Sequence, residues 1–494
     1  MKKLTKITLC TLLFLSTVVP LINVPAKPAA VTVVISTGVQ TTTALSDMVK
    51  DYNDNEAAAG VTIKLEESTW ETQNQHDTYV TKLAAKDSSI DIISMDVIWP
   101  PEFTEAGWLE QIDDLFEGTG YTADLYLEAP ILAGTYQGHH YGLPWFHDSA
   151  MLFYRADILK YAFDNDVITV TPPTGQDYRA PETWKELHDW TLAMLDDEDL
   201  VSYFNGTDGI LNGFVWQGRE YEGMICDFME YLGGTGQTSF LVNDEPAFNT
   251  TDARAALTYM KSLIDDGVSP EAVLTYQEET SRAVWNAGNA IFHRNWPYCY
   301  RLSSDNTFLN GSQGTYLNSS LNSQKAFGVV PMPHKAGVTD YRTSCLGGWQ
   351  LGLNVYSEHK DEAKLFMKWL TDVDQQKYYL LHGGQIPTRE AVYSDSDVLA
   401  SDQAYVHELL PVFKAALPRP VHPDYPAMSK ALWPPMHTYL AGGMTLNEAT
   451  AKMDAAVNDI LSAGAPSAGI PELAILALFS FAALVIIRRK RKLE

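Results

Sequence analysis

Apolar positions in the first hundred residues follow two periods. Ala30 to Ile35 is a short β-branched run, and Leu45, Met48, Val49 and Tyr52 then recur at the spacing of one helix face. Val61 to Leu65 alternates like a half-buried strand, Tyr79 to Leu83 falls in a second helical stretch, and Asp91 to Val97 is another compact apolar run. The order βαβαβ predicts the start of a mostly parallel sheet with helices on its faces. Ligands of such sheets gather at the carboxyl ends of the strands, which puts Asp96 and Trp99 within reach of one. Farther on, residues 181–195 set Leu187, Trp190 and Met194 on one helical face. Residues 357–370 do the same with Ala363, Phe366, Met367 and Leu370, with Ser357 as the expected N-cap. Both read as packing helices.

The two ends carry a different pattern. Lys2, Lys3 and Lys6 precede an apolar run from Ile7 to Ile22, and Val24-Pro25-Ala26 offers small residues for cleavage, so residues 1–26 read as a secretory signal peptide. Cys10 lies inside the run without the small preceding residue of a lipoprotein site. Leu473 to Ile487 is uncharged and is followed at once by five basic residues. Fifteen helical residues span about 22 Å, so crossing the roughly 30 Å hydrocarbon layer needs the stretch 470–487 and its flanks. Residues 463–469 then read as a short linker, 470–487 as a transmembrane or sorting helix, and 488–494 as a basic tail held in the cytoplasm by the positive-inside rule. On this reading the protein is exported and anchored to the cytoplasmic membrane at its C-terminus. Sequons at Asn205, Asn249, Asn310 and Asn318 agree weakly with an exported surface.

Charge removes one class of partner. The chain has 35 Lys and Arg against 62 Asp and Glu, and setting the two ends aside makes it more acidic still. Such a surface repels phosphate backbones, which argues against nucleic acid. Composition is otherwise globular, at 46% hydrophobic and 11% aromatic, and the exported length suits two or more domains. Beyond the signal, Cys226, Cys299 and Cys345 form an odd set with no CxxC spacing; one disulfide is possible, and the sequence does not choose it.

Catalytic signatures are absent from the sequence: no GxSxG, no GxxxxGK, no complete GxGxxG and no HExxH. The 12 histidines are scattered, which gives no metal site and implies no cofactor. Asp96 with Asp148 is the one carboxylate pair to consider for glycoside hydrolysis. What the chain does hold is a series of aromatic and polar clusters in turn-like contexts: SMDVIWP (94–100), GLPWFHDSAMLFYR (142–155), FVWQGREYEGMICDFMEY (214–231), HRNWPYCY (293–300), LGGWQLG (346–352), GGQIPTRE (383–390) and LPRPVHPDYP (417–426). Sugars ask for this chemistry, because a pyranose stacks its C–H face on an aromatic ring and pairs its hydroxyl rim with carboxylates and guanidinium groups. Core packing alone explains the Trp and Tyr, but less well their repeated company with Asp, Arg, Gly and Pro.

From Ala30 to about Ala463 these motifs resemble, in order, the extracytoplasmic family 1 sugar-binding proteins of ABC importers, most of all the archaeal trehalose/maltose-binding proteins. The resemblance implies a two-lobed α/β fold of the periplasmic-binding-protein type II, each lobe a sheet flanked by helices. Lobe 1 would take 31–145 and 330–385, and lobe 2 would take 146–329 and 386–462. It also implies a cleft in which Asp96 and Asp148 accept hydroxyls, Trp296, Tyr298 and Trp349 stack on sugar faces, Gly348 lets the backbone approach, and Arg389 donates. The chain departs from the family pattern where Phe146 replaces a Tyr, where His76 replaces an Arg, and where Gln40 is the nearest polar candidate for a missing acid. The function implied is capture of a sugar, a disaccharide such as trehalose or maltose or a short oligosaccharide, by a monomer that delivers it to the permease of an ABC transporter. A surface carbohydrate sensor or adhesion protein on the same scaffold and a glycan-active enzyme are the alternatives.

Overall fold

The computed structural model describes residues 30–39, 42–58, 60–69, 71–118, 121–204, 211–304, 326–339 and 342–463. The signal segment, Gln40, the sequons at Asn205, Asn310 and Asn318, and the apolar stretch 470–487 with its basic tail lie outside the described residues. Among the described residues no helix is long and apolar enough to cross a membrane.

Ten strands build two sheets: β1 (Val31–Thr37), β2 (Val61–Glu67), β3 (Ile92–Asp96), β4 (Gly142–Ser149), β5 (Met151–Arg155), β6 (Asn212–Val215), β7 (Ala290–Asn295), β8 (Phe327–Val330), β9 (Leu346–Leu353) and β10 (Ile386–Pro387). The first sheet has the order β10-β4-β9-β3-β1-β2, and the second β8-β5-β7-β6. The βαβαβ opening forms as read, with β1 parallel to both β2 and β3. The expectation of a mostly parallel sheet needs correction, because β9 runs antiparallel to β3 and β4, and β10 antiparallel to β4. Those strands return from distant parts of the chain, where no local pattern announces their direction.

Strand membership places the handovers between sheets at Ala150 and between Val330 and Leu346. Phe146 and Asp148 therefore belong to the first sheet and Phe327–Val330 to the second, a few residues from the limits suggested by the family resemblance. After β10 the chain crosses again, and the helices Tyr425–Leu440 and Leu446–Ala463 pack against Glu222–Gly233 and Thr251–Asp265 on the second unit.

The packing helices form where their stripes lie. Trp184–Asp196 starts at a capping box, in which Thr183 accepts from the Glu186 amide, and it buries Leu187, Trp190 and Met194. The second, Lys360–Leu370, buries Ala363, Phe366, Met367 and Leu370 but is preceded by His359 rather than capped by Ser357. Ser357 instead accepts from the His359 amide at 3.0 Å, two residues on, and donates to Asp91 at 2.6 Å just before β3, so its oxygen serves a turn ahead of the helix.

Candidate sugar-binding cleft

A cleft of about 470 Å³ opens between the two units, within the range of small-molecule sites. Strand ends supply part of its lining. Gly38 follows β1, Asp96 ends β3, and Trp296 follows β7. The amino ends of the helices Thr72–Ala84, Glu222–Gly233 and Glu278–Asn286 face the same space.

The first unit contributes a wall of rings. Trp349, on β9, remains partly exposed and meets buried Trp99 edge to face at 5.6 Å, while Trp99 in turn meets His76 at 5.3 Å. His76 is fixed by a 2.6 Å bond to Glu102; burial works against its proton, but the Glu102 bond and charge, with those of Asp77, raise its pKa above the ordinary value. Between β9 and β4 the register slips by one residue, pairing Trp349 with Phe146 but Gln350 with Pro144, so Trp145 is left as the extra residue of a bulge; Trp145 and Phe146 both border the cleft, Trp145 the more deeply buried. Gly348 sits at this slip with φ +105°, and an added Cβ would stand 2.5 Å from the Phe146 carbonyl oxygen.

The second unit presents Trp296 and Tyr298 directly after β7. Arg294 lies beneath, its guanidinium 4.1 Å from the Trp296 ring centroid. It is buried among Asp227 at 2.8 Å, Glu230, and Gln217 at 2.9 Å, so its charge is matched from below and its upper face supports the indole. The Trp296 ring N–H donates to Glu278 at 3.3 Å and the Tyr298 hydroxyl to Glu279 at 2.7 Å.

Between these walls stand the two acids. Asp96 accepts from Arg419 at 3.0 Å and from the Ile98 amide at 3.2 Å, yet burial raises its pKa despite the cation. Asp148 is further perturbed. Burial first, and then the charge of Asp96, push its pKa well above the carboxylate range against a smaller opposing pull from Arg294. Its Oδ1 has no hydrogen-bond partner within the protein.

The profile of the bacterial extracellular solute-binding proteins matches residues 38–377. The chain belongs to this family. A relative named "Probable ABC transporter-binding protein" from Deinococcus radiodurans is 31% identical over 365 residues, covering 73% of this chain and 77% of the relative. Among solved structures, maltose-bound T. maritima MalE3 is similar at a TM-score of 0.71 and 32% identity, covering 87% of this chain and 99% of that one. An α-D-tagatose-bound solute-binding protein of Thermotoga lettingae TMO shares the fold at a TM-score of 0.68 and 24% identity, covering 87% of this chain and 100% of that one. The fold is thus the two-lobed α/β architecture, and this solute-binding protein is a component of ABC transport, exported as its family is, rather than an enzyme.

Within this solute-binding protein, nine residues singled out in the sequence meet in one cleft. His76, Asp96 and Trp99 come from the first strands and their following helices; Phe146, Asp148, Gly348 and Trp349 from the antiparallel pair; and Trp296 and Tyr298 from the opposite unit. Arg389 is not among the lining residues. Its guanidinium lies 4.6 Å from the Tyr126 ring and its amide donates to Gln376 at 2.9 Å. The buried cation at the cleft is instead Arg419, in the LPRPVHPDYP cluster, which bonds Asp96 and, at 2.7 Å, Glu222, while the more exposed Arg219 also lines it. Glu222, Glu278 and Glu279 were also missed as site residues, although acids next to aromatic runs were the available signal.

Proposed function

We propose that this solute-binding protein captures a maltose-like disaccharide or short oligosaccharide between its lobes and presents it to the permease of an ABC transporter. Support comes above all from the convergence of Trp296 and Tyr298 on one wall and Trp349 on the other, with Asp96 and Asp148 between them. Flat rings take the apolar faces of a sugar, and the acids accept hydrogen bonds from its hydroxyls. Asp148 Oδ1, buried and without an acceptor's usual donor, matches a ligand hydroxyl. Maltose is the ligand in the T. maritima relative's structure, and a cleft of about 470 Å³ has room for two rings.

Binding to both walls favours the closed arrangement, and closure creates the shape a permease reads. Micromolar affinity corresponds to about −8 kcal/mol. The lobes are taken to divide near the two handovers, and the apolar segment 470–487 with its basic tail supports a tether holding the monomer close to its transporter.

The test is titration with maltose, trehalose, monosaccharides and maltotriose, followed by tryptophan fluorescence and calorimetry, with product analysis in parallel. Saturable binding of a di- or oligosaccharide without product is expected. Absence of any saccharide binding at millimolar concentration overturns the reading, and release of reducing sugar replaces it with glycan cleavage.

A further inference from the structure

Three segments carry the chain between the sheets, and they meet at one point. The Ala150 amide donates to the Cys345 carbonyl at 3.4 Å, and the Ser344 hydroxyl donates to the Ala150 carbonyl at 2.8 Å. The Leu417 amide donates to Ser344 at 2.8 Å, and the Leu346 amide to Leu417 at 2.7 Å. Cys345 thus lies in the crossing itself, where a hinge between the units would turn. Cys226 lies on the helix Glu222–Gly233 of the second unit, one turn beyond Glu222, whose carboxylate holds Arg419; Arg419 in turn donates to the Leu346 carbonyl at 3.3 Å. This chain of bonds brings helix and crossing together, and Cys226 and Cys345, both buried free thiols in the structure, are neighbours in the core packed between them. Cys299 packs elsewhere, 3.5 Å from the Ser303 hydroxyl and 4.0 Å from His293.

We propose that Cys226 and Cys345 are joined by a disulfide in the exported protein, stapling the second unit's helix to the hinge beside the Gly347–Trp349 floor of the cleft. Cys299 is the remaining thiol of the odd set. The bond closes by exchange with an oxidant of the disulfide class met outside the cytoplasm: one thiolate attacks the oxidant and releases one thiol, and the second thiolate resolves the mixed disulfide and releases the other. Two electrons pass to the oxidant, and the two cysteine protons end on its released thiols or in solvent. Both residues are deeply buried, and the neighbouring Cys345 thiol, then burial, raise the Cys226 pKa, so the exchange belongs to the folding chain before this region seals. Once made, the bond is shielded from reductant and closes a long loop, which restrains the unfolded chain. The inference does not depend on which solute is bound.

The test is alkylation of the full chain after secretion, denatured without reductant and digested. Expected are alkylated Cys299, a linked peptide pair containing Cys226 and Cys345, and a mass lighter by two hydrogens than that of the reduced chain. Alkylation of Cys226 and Cys345 in the unreduced chain overturns the proposal, as does a bridge through Cys299. Cys226→Ser supplies an independent readout: Cys345 should become alkylated in the denatured, unreduced variant, and the melting temperature should fall to that of the reduced wild type. A melting temperature moved neither by reduction nor by substitution overturns the stapling role.

Discussion

Arg294 and Trp349 show how differently two residues of one cleft are used. Arg294 is 1% exposed and is the shared ion-pair partner of Asp227 and Glu230 below the Trp296 ring. Arg294→Met strands two buried carboxylates and should destabilise the protein by about 3–5 kcal/mol in urea titration. Trp349 keeps part of its face open to the cleft, so Trp349→Ala should lower sugar affinity at least about tenfold, about 1.4 kcal/mol, in calorimetry, with a far smaller shift in the urea midpoint than Arg294→Met. Asp148 gives the pH-dependent case. Its folded pKa is raised, so between the unfolded value of about 3.9 and the folded one the unfolded chain ionises while the native carboxyl keeps its proton. Native stability without ligand therefore falls as pH rises through that window, and the penalty is constant above it. Asp148→Asn should raise the urea midpoint at neutral pH, flatten its pH slope, and weaken sugar binding. The rings and acids were legible because their chemistry is unusual for a core. The choice of Arg419 over Arg389 was not, because each follows Pro or Thr in a similar turn-like cluster and only tertiary placement separates them.

At the scale of elements, the site depends on a defect in pairing. The slip between β4 and β9 leaves Trp145 unpaired, stacked on Tyr379 at 5.6 Å, and sets it beside Phe146 and Asp148 along the cleft. Gly348, next to the slip, has to be glycine, since its φ of +105° and the nearby Phe146 carbonyl leave no place for a Cβ. Gly348→Ala should destabilise by about 1–3 kcal/mol and reduce sugar affinity through the displaced Trp349, whereas the same change at Gly138, also of positive φ but open to solvent, should leave affinity unchanged. Paired urea and calorimetric titrations separate these outcomes. The parallel opening could be read from periodicity because each of its elements is local. The antiparallel strands could not, since β9 joins partners far away in the chain and a bulge leaves no periodic trace.

The whole molecule adds a contact that no single unit contains. Arg219, after β6 of the second unit, faces Glu71, at the amino end of the helix Thr72–Ala84 of the first, at 3.8 Å across the cleft mouth. Their side chains are 45% and 50% exposed, so water screens the pair and its contribution stays below about 1 kcal/mol. That is small for folding but acts on the balance between lobes, because opening the cleft breaks the pair while each unit stays intact. Arg219→Ala should therefore weaken sugar binding by less than about fivefold at low salt, mainly through faster release, and leave the urea midpoint unchanged. Raising ionic strength should erase the difference between variant and wild type, since at 1 M salt the screening length is about 3 Å. Stopped-flow fluorescence at low and high salt distinguishes this from direct ligand contact: a deficit that persists at 1 M salt would mean that Arg219 holds the sugar itself, and a shifted urea midpoint would mean that it holds the fold.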